Sequence, residues 1–119
     1  MTSPRGRDKN IRVRIVSDTY RGGKYYNQKV TVLDVTTPEE CNCKADNGQL
    51  LEGLRQHDLE TIIPKKLGST VLVVSGASRY RRGKLMERDA KRGEAVVQLM
   101  GEPTVKKFSF DDLSAYVGR

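Results

Sequence analysis

The chain has 119 residues, of which 36% are apolar and 31% charged, and its formal net charge is +7. This length suits one ordinary domain or two very small ones. No apolar run reaches the roughly 20 residues that a membrane-spanning helix needs. The first ten residues lack the apolar segment of a secretory signal, and we predict that residues 1–10 are a disordered tail or were added for expression. The excess of basic charge favours an acidic partner, with nucleic acid as the first candidate.

The charge alternates in sign along the chain. The net charge is +6 over residues 1–29, −5 over 30–64, +7 over 65–92 and −1 over 93–119. Such a recurrence predicts two tandem units, which we place at residues 11–64 and 65–119. The connector Pro64-Lys65-Lys66-Leu67-Gly68 is short, so we expect the two units to touch or at least to hold a restricted relative orientation.

The first unit is predicted to consist of short strands. In chain order they are Arg12–Val16, Lys29–Val35, Cys41–Ala45, Leu50–Leu54 and Thr61–Ile63. Basic and apolar residues alternate in the first of these, which is typical of a half-buried strand. Asp46-Asn47-Gly48 predicts a hairpin turn, because Asn and Gly tolerate a positive φ. A single helical turn is predicted over Arg55–Leu59.

The second unit repeats this scheme. Its predicted strands are Val71–Ser75, Gly83–Arg88, Ala95–Met100, Val105–Ser109 and Ala115–Val117, with a turn over Asp111–Leu113 before the last. Five short strands with a helical turn before the fifth are typical of a small SH3-like barrel. The predicted fold class is therefore all-β: two tandem small SH3-like barrels with short helical turns.

Residues suited to metal binding or catalysis are few. Cys41 and Cys43 lie about 6.5 Å apart if they share one strand face, which suits a disulfide poorly, and we expect both thiols to be reduced. Together with the single histidine, His57, they fall short of a four-ligand zinc site. The sequence contains no phosphate-binding loop and no triad spacing. We predict neither an enzyme nor a bound cofactor or metal.

Two basic segments with interleaved tyrosines are the candidate binding sites. The first gives Arg21, Lys24, Tyr25, Tyr26 and Lys29; the second gives Arg79, Tyr80, Arg81, Arg82, Lys84 and Arg88. Lys and Arg neutralise phosphates, and tyrosine rings stack on unpaired bases. For the first segment an alternative is that Tyr25 or Tyr26 closes the barrel core. For the second, the alternative is a solvated basic loop without a ligand.

A short apolar strand followed by a basic, glycine-containing loop and a second strand resembles the KOW motif, most clearly over Val73–Leu85. The stretch from Ile11 to Gly118 resembles the C-terminal tandem KOW region of the spliceosomal G-patch and KOW-motif proteins. The most specific phrases are Leu51-Glu52-Gly53-Leu54-Arg55 and Leu59-Glu60-Thr61-Ile62-Ile63-Pro64. More distantly, the chain is similar to the SH3-like tail of Kin-type nucleic-acid-binding proteins.

This resemblance implies a nuclear protein that binds RNA in pre-mRNA splicing. It also implies spliceosomal protein partners, including a DEAH-box RNA helicase that the relatives engage through a G-patch. No G-patch is visible in this sequence, so we interpret the chain as a fragment, and we expect a monomer without a membrane partner. Tyr80 and Val30 depart from the motif, because glycines are expected near those positions. The alternative function is a protein-docking module with incidental RNA contact.

Overall fold

The computed structural model describes residues 9–118. The predicted N-terminal tail lies outside the described residues over 1–8, whereas the Asn10 N–H bonds to the carbonyl oxygen of Val32 at 2.7 Å. The chain divides between Glu60 and Thr61 into two compact units. Within the described part, no helix is long and apolar enough to cross a membrane.

The first sheet contains five short strands. Their bounds are β1 Arg12–Ile15, β2 Lys29–Thr37, β3 Glu40–Ala45, β4 Leu50–Arg55 and β5 Leu59–Thr61. The sheet has the order β4-β3-β2-β1-β5, and consecutive strands from β1 to β4 pair antiparallel. Alternate residues such as Val13, Ile15 and Val30 are buried, as expected for strands with one face on a core.

The second sheet repeats this topology. Its strands are β6 Thr70–Val73, β7 Arg82–Asp89, β8 Glu94–Leu99, β9 Val105–Ser109 and β10 Leu113–Ala115. Their order is β10-β6-β7-β8-β9. Its core consists of the buried apolar residues Val71, Val73, Leu85, Ala95, Val97, Leu99 and Leu113. The partly buried Ile63, Phe108 and Phe110 pack against this core. The predicted all-β class, with five strands in each repeat, is confirmed.

The predicted position of the last strand in each repeat is wrong by two residues. β5 begins at Leu59 and β10 at Leu113, because each preceding 3-10 turn is only three residues long. These turns span Gln56–Asp58 and Phe110–Asp112. The sequence prediction also missed the 3-10 turn Tyr20–Gly23.

The same hydrogen bonds recur in both repeats and establish which positions are equivalent. Val16 N–H donates to the Asp58 carbonyl oxygen, and Val74 N–H to that of Asp112, both at 2.8 Å. In the first repeat Val30 lies opposite Ala45. At the equivalent place in the second repeat Gly83 lies opposite Leu99. The bulky side chain has therefore moved to the neighbouring strand, which conserves core volume.

Gly83 is required by the approach of two backbones. A Cβ at this residue would lie 2.6 Å from the backbone oxygen of Gln98 and 2.6 Å from the Val97 side chain. Real Cβ atoms do not approach a backbone oxygen this closely, so only glycine fits without a shift of β7 away from β8. The close pairing of β7 with β8 positions the loop that precedes Gly83.

Candidate nucleic-acid interface

The second basic loop, which we define as residues 76–81, connects β6 to β7. Tyr80 has φ +74°, and its N–H donates to the carbonyl oxygen of Val73 at 2.8 Å. The Arg79 guanidinium carbon lies 5.4 Å from the centre of the Tyr80 ring. A guanidinium over a ring forms a cation–π contact. The tight turn therefore holds a cation and an aromatic ring together.

Arg81 is held by groups from the turn between β8 and β9. Its guanidinium donates to a Glu102 carboxylate oxygen at 2.9 Å and to the Met100 carbonyl oxygen at 2.8 Å. The Glu102 carboxylate neutralises part of the positive charge of Arg81, which the sequence analysis predicted to contact nucleic acid. Arg81 therefore reaches a phosphate only in competition with Glu102.

The other predicted cations of the second unit lie along β7. Arg82 packs against Tyr116, with its guanidinium carbon 5.1 Å from the ring centre, and Lys84 is exposed. Arg88 lies six positions beyond Arg82 on the same strand, which corresponds to about 20 Å. Arg88 packs at 5.6 Å from the ring centre of Phe110. The structure thus places Arg82 directly after the basic loop and Arg88 away from it.

The first basic segment begins with the 3-10 turn Tyr20–Gly23. Arg21 and Gly22 have φ values of +50° and +68°, and the Arg21 guanidinium lies 5.6 Å from the Tyr20 ring centre. The Tyr20 hydroxyl donates to the Glu52 carbonyl oxygen at 2.6 Å. Burial raises the pKa of Tyr20 above its ordinary 10.0, so the hydroxyl keeps the proton that it donates.

The adjacent tyrosines of this segment have opposite environments. Tyr25 is 3% exposed and Tyr26 is 55% exposed. The ammonium of Lys24 lies 5.6 Å from the Tyr25 ring centre. The alternative in which Tyr25 closes the core is therefore the correct one for this residue, while Tyr26 is exposed to solvent. Of these two rings, only that of Tyr26 can stack a base without a rearrangement of the core.

Three cations near Lys29 were not among the predicted site residues. Arg12 and Arg14 lie on the outer face of β1, and Lys44 lies on the outer face of β3. Lys29 stands opposite Arg14 on the neighbouring strand. The alternation of basic and apolar residues in β1 was the available signal, because it places every basic side chain on the face away from the core.

One carboxylate borders these cations. Arg12 donates to the two Asp46 carboxylate oxygens at 2.8 and 3.3 Å. These hydrogen bonds, together with the positive charges of Arg12 and Lys29, hold the pKa of Asp46 below its ordinary 3.8. Asp46 is therefore ionised at neutral pH and offsets part of the local positive charge.

The described residues present cationic and aromatic groups and contain no group of three or more His, Cys, Asp and Glu side chains arranged to hold a metal ion. Cys41 and Cys43 are buried free thiols with their Sγ atoms 3.8 Å apart. A shallow cleft of about 260 Å³ near the end of β7 has lining residues of both charge signs, including Glu87, Arg88 and Lys107. The geometry of the basic segments suits the binding of a polyanion.

The family match and the similar proteins described next all indicate the same protein family. The GPKOW C-terminal domain family matches residues 11–118. The chain is 46% identical over 111 residues to the G-patch domain and KOW motifs-containing protein of Xenopus laevis, covering 92% of this chain and 23% of that protein. The Homo sapiens protein of the same name is 44% identical over 110 residues, with the same two coverages.

A more distant relative is the KIN17-like protein of Dictyostelium discoideum, which is 33% identical over 108 residues, covering 90% of this chain and 19% of that protein. The chain spans about a quarter of the length of the two closer relatives described above. Both resemblances noted in the sequence are thus confirmed. On the family match and these identities, the chain belongs to the GPKOW C-terminal domain family of G-patch and KOW-motif proteins.

Proposed function

We propose that this chain is an RNA-binding tandem KOW module of a pre-mRNA splicing factor. The observation that carries the proposal is the recurrence of one basic, tyrosine-bearing turn after the first strand of each unit. Asn27 and Tyr80 donate their N–H groups to the last residue of β1 and of β6, at 2.7 and 2.8 Å. Each turn places a tyrosine and several cations at the same point of the fold.

The chemistry of the second basic loop supports single-stranded RNA as the ligand. Arg79 packs against the ring of Tyr80, and the pair offers both a planar cation for a phosphate and a ring for a base. Stacking of one base contributes about 1–3 kcal/mol. Because these contacts recognise phosphates and ring faces, binding is expected to be independent of sequence and steeply weakened by salt.

The wider context is part of the same proposal. The relatives' names combine a G-patch domain with KOW motifs, and this chain covers 23% of their length. We place the parent protein in the nucleus, among spliceosomal proteins, with a DEAH-box RNA helicase engaged through a G-patch elsewhere in the parent protein. In this assignment the module is a monomer that binds RNA and performs no catalysis.

The proposal is tested by titrating oligouridine of about ten nucleotides into the labelled chain while backbone amide shifts are recorded. Spectra in about 50 and about 200 mM salt should show shifts at residues 20–29 and 79–84 that shrink as salt rises. If RNA moves no amide while the chain still retains spliceosomal proteins, the docking function replaces RNA binding.

A variant pair identifies the contacts of the loop. Arg79→Gln combined with Tyr80→Asn should weaken oligouridine binding at least about fivefold, because a phosphate contact and a stacking ring are both lost. Lys106→Gln with Lys107→Gln removes two positive charges from β9 and serves as the control. Equal weakening by the two pairs would contradict the assignment of the loop.

A further inference from the structure

The outer face of the first sheet carries cations on three neighbouring strands. We call this surface the basic sheet face and define it by Arg12, Arg14, Lys29 and Lys44. Arg12 lies opposite Thr31, which lies opposite Lys44, so these three form one row across the strands. Arg14 and Lys29 form the adjacent row. The pairing register therefore gathers residues from distant parts of the sequence into one patch.

Arg14 and Lys29 are like charges in direct cross-strand opposition. Side chains in this relation have Cβ atoms about 4.5–5.5 Å apart, and like charges there destabilise a sheet. An anion bound between them would relieve the repulsion. Arg14 is also oriented by the first turn, because its guanidinium donates to the Asn27 carbonyl oxygen at 3.2 Å.

Most of this positive charge is not neutralised by the residues that the structure describes. Asp46 pairs with Arg12, but neither Lys29 nor Lys44 forms an ion pair within 4.0 Å with any described residue. Both lysines are exposed. Two exposed ammonium groups therefore remain available to an external anion.

The fold does not require these cations. The equivalent positions in the second sheet follow from the matching registers, with Thr70 for Arg12, Leu72 for Arg14, Arg82 for Lys29 and Gln98 for Lys44. Only one of the four is cationic, and Arg82 packs on Tyr116. Lys84 takes the place of Thr31 in this face. These five positions therefore hold two cations in the second sheet and four in the first, which favours a binding role for the face in the first unit.

We propose that the basic sheet face binds successive phosphates of single-stranded RNA, with Tyr26 stacking a base beside it. Lys29 and Lys44 lie in diagonal register on adjacent strands, a separation of about 7–8 Å that allows each to contact its own phosphate. Tyr26 precedes Asn27, the residue that Arg14 contacts, and is itself 55% exposed. A basic track beside an aromatic platform suits single strands. This inference rests on the proposed function and adds a site outside the second basic loop.

The experiment measures oligouridine affinity by fluorescence anisotropy across a salt series. Lys29→Gln with Lys44→Gln should lower the slope of log K against log salt by about 1.4, since each phosphate contact on a single strand contributes about 0.7. Tyr26→Ala should weaken binding about fivefold or more and leave that slope unchanged. Lys106→Gln with Lys107→Gln, which removes the same charge, should leave the slope unchanged.

Amide spectra of each variant establish that its fold is retained, so that weaker binding is not caused by unfolding. If the lysine pair leaves the slope unchanged while Arg79→Gln with Tyr80→Asn abolishes binding, the basic sheet face is overturned and RNA binding stands. If the unsubstituted chain binds no RNA, both proposals fail. If decaglutamate binds this face as tightly as oligouridine does, the surface recognises acidic peptide and the inference is overturned.

Discussion

Asn27 and Tyr80 occupy the same place in the two units. Their φ values are +67° and +74°, and each donates its N–H to the last residue of the strand before its turn. Asparagine visits this left-handed region routinely, whereas other side chains incur a cost of about 1–2 kcal/mol. Tyr80 therefore holds a conformation that favours glycine or asparagine. That an aromatic residue stands there agrees with a role for its ring in binding.

This conformation leads to a test of stability at Tyr80. Tyr80→Gly should be more stable than Tyr80→Ala by about 1 kcal/mol, because both lose the ring and only alanine keeps a Cβ at positive φ. Urea denaturation measures the difference. At Lys84, within β7, the order should reverse, with glycine less stable than alanine by about 0.5–1 kcal/mol. The same order at both positions would contradict a strained turn.

Gly83 should not tolerate even one methyl group. Gly83→Ala places its Cβ against the Gln98 backbone oxygen, and overpacking of this kind lowers the free energy of unfolding by about 1–3 kcal/mol. Thermal unfolding of the variant measures this loss. Lys84→Ala, at the exposed residue that follows Gly83, is the control. Its free energy of unfolding should stay within about 0.5 kcal/mol of that of the unsubstituted chain. Stability unchanged at Gly83 would show that β7 and β8 move apart easily.

Glu102 should limit RNA binding by the second unit. Glu102→Gln removes the carboxylate that bonds to Arg81 at 2.9 Å. Exposed ion pairs contribute about 0.2–1 kcal/mol, so the release of Arg81 should tighten oligouridine binding about two- to fivefold at most. Anisotropy titration checks this. Glu87→Gln changes the net charge by the same amount and is the control. Equal tightening of binding by the two variants would show that the Arg81–Glu102 ion pair has no specific role.

The contribution of Asp46 to the free energy of unfolding should depend on pH. Its folded pKa lies below the ordinary 3.8, chiefly because Arg12 donates hydrogen bonds to it. The contribution is therefore present above about pH 4 and is lost as the pH falls through the lower folded pKa. Asp46→Asn should be less stable than the unsubstituted chain at pH 6, with the difference vanishing near pH 2. Urea midpoints at both pH values measure it, and Asp34→Asn is the control for an exposed aspartate.

The buried thiols should differ in reactivity. Cys43 is fully buried and Cys41 retains 8% exposure. The hydrogen bond to Cys41, together with burial, raises the pKa of Cys43 well above its ordinary value. Because the thiolate is the reactive form, iodoacetamide at pH 8 should modify Cys41 first and Cys43 only after unfolding. Fragment mass spectrometry locates the adducts, and equally fast modification of Cys43 would contradict this packing.

Much of the fold could be predicted because its signals are local. Alternation in Arg12–Val16 indicates a half-buried strand, and Asp46-Asn47-Gly48 indicates a hairpin. The last strand of each repeat was misplaced because turn length depends on how a few residues close a 3-10 turn, which composition does not specify. Nothing in the local pattern distinguished Tyr25 from Tyr26 either, because both lie in a turn, where the two-residue alternation of a strand does not apply.

By itself, then, the sequence determined the two all-β repeats, their family and the two basic segments, because periodicity, turn residues and motif phrases are read along the chain. Only the tertiary structure decided which charges remain available for a ligand. Arg81 meets Glu102 across 21 positions of sequence, and Arg14 faces Lys29 through the register of β1 with β2. These pairings depend on the alignment of strands that are distant in sequence, and a one-residue change of register would turn each side chain to the opposite face.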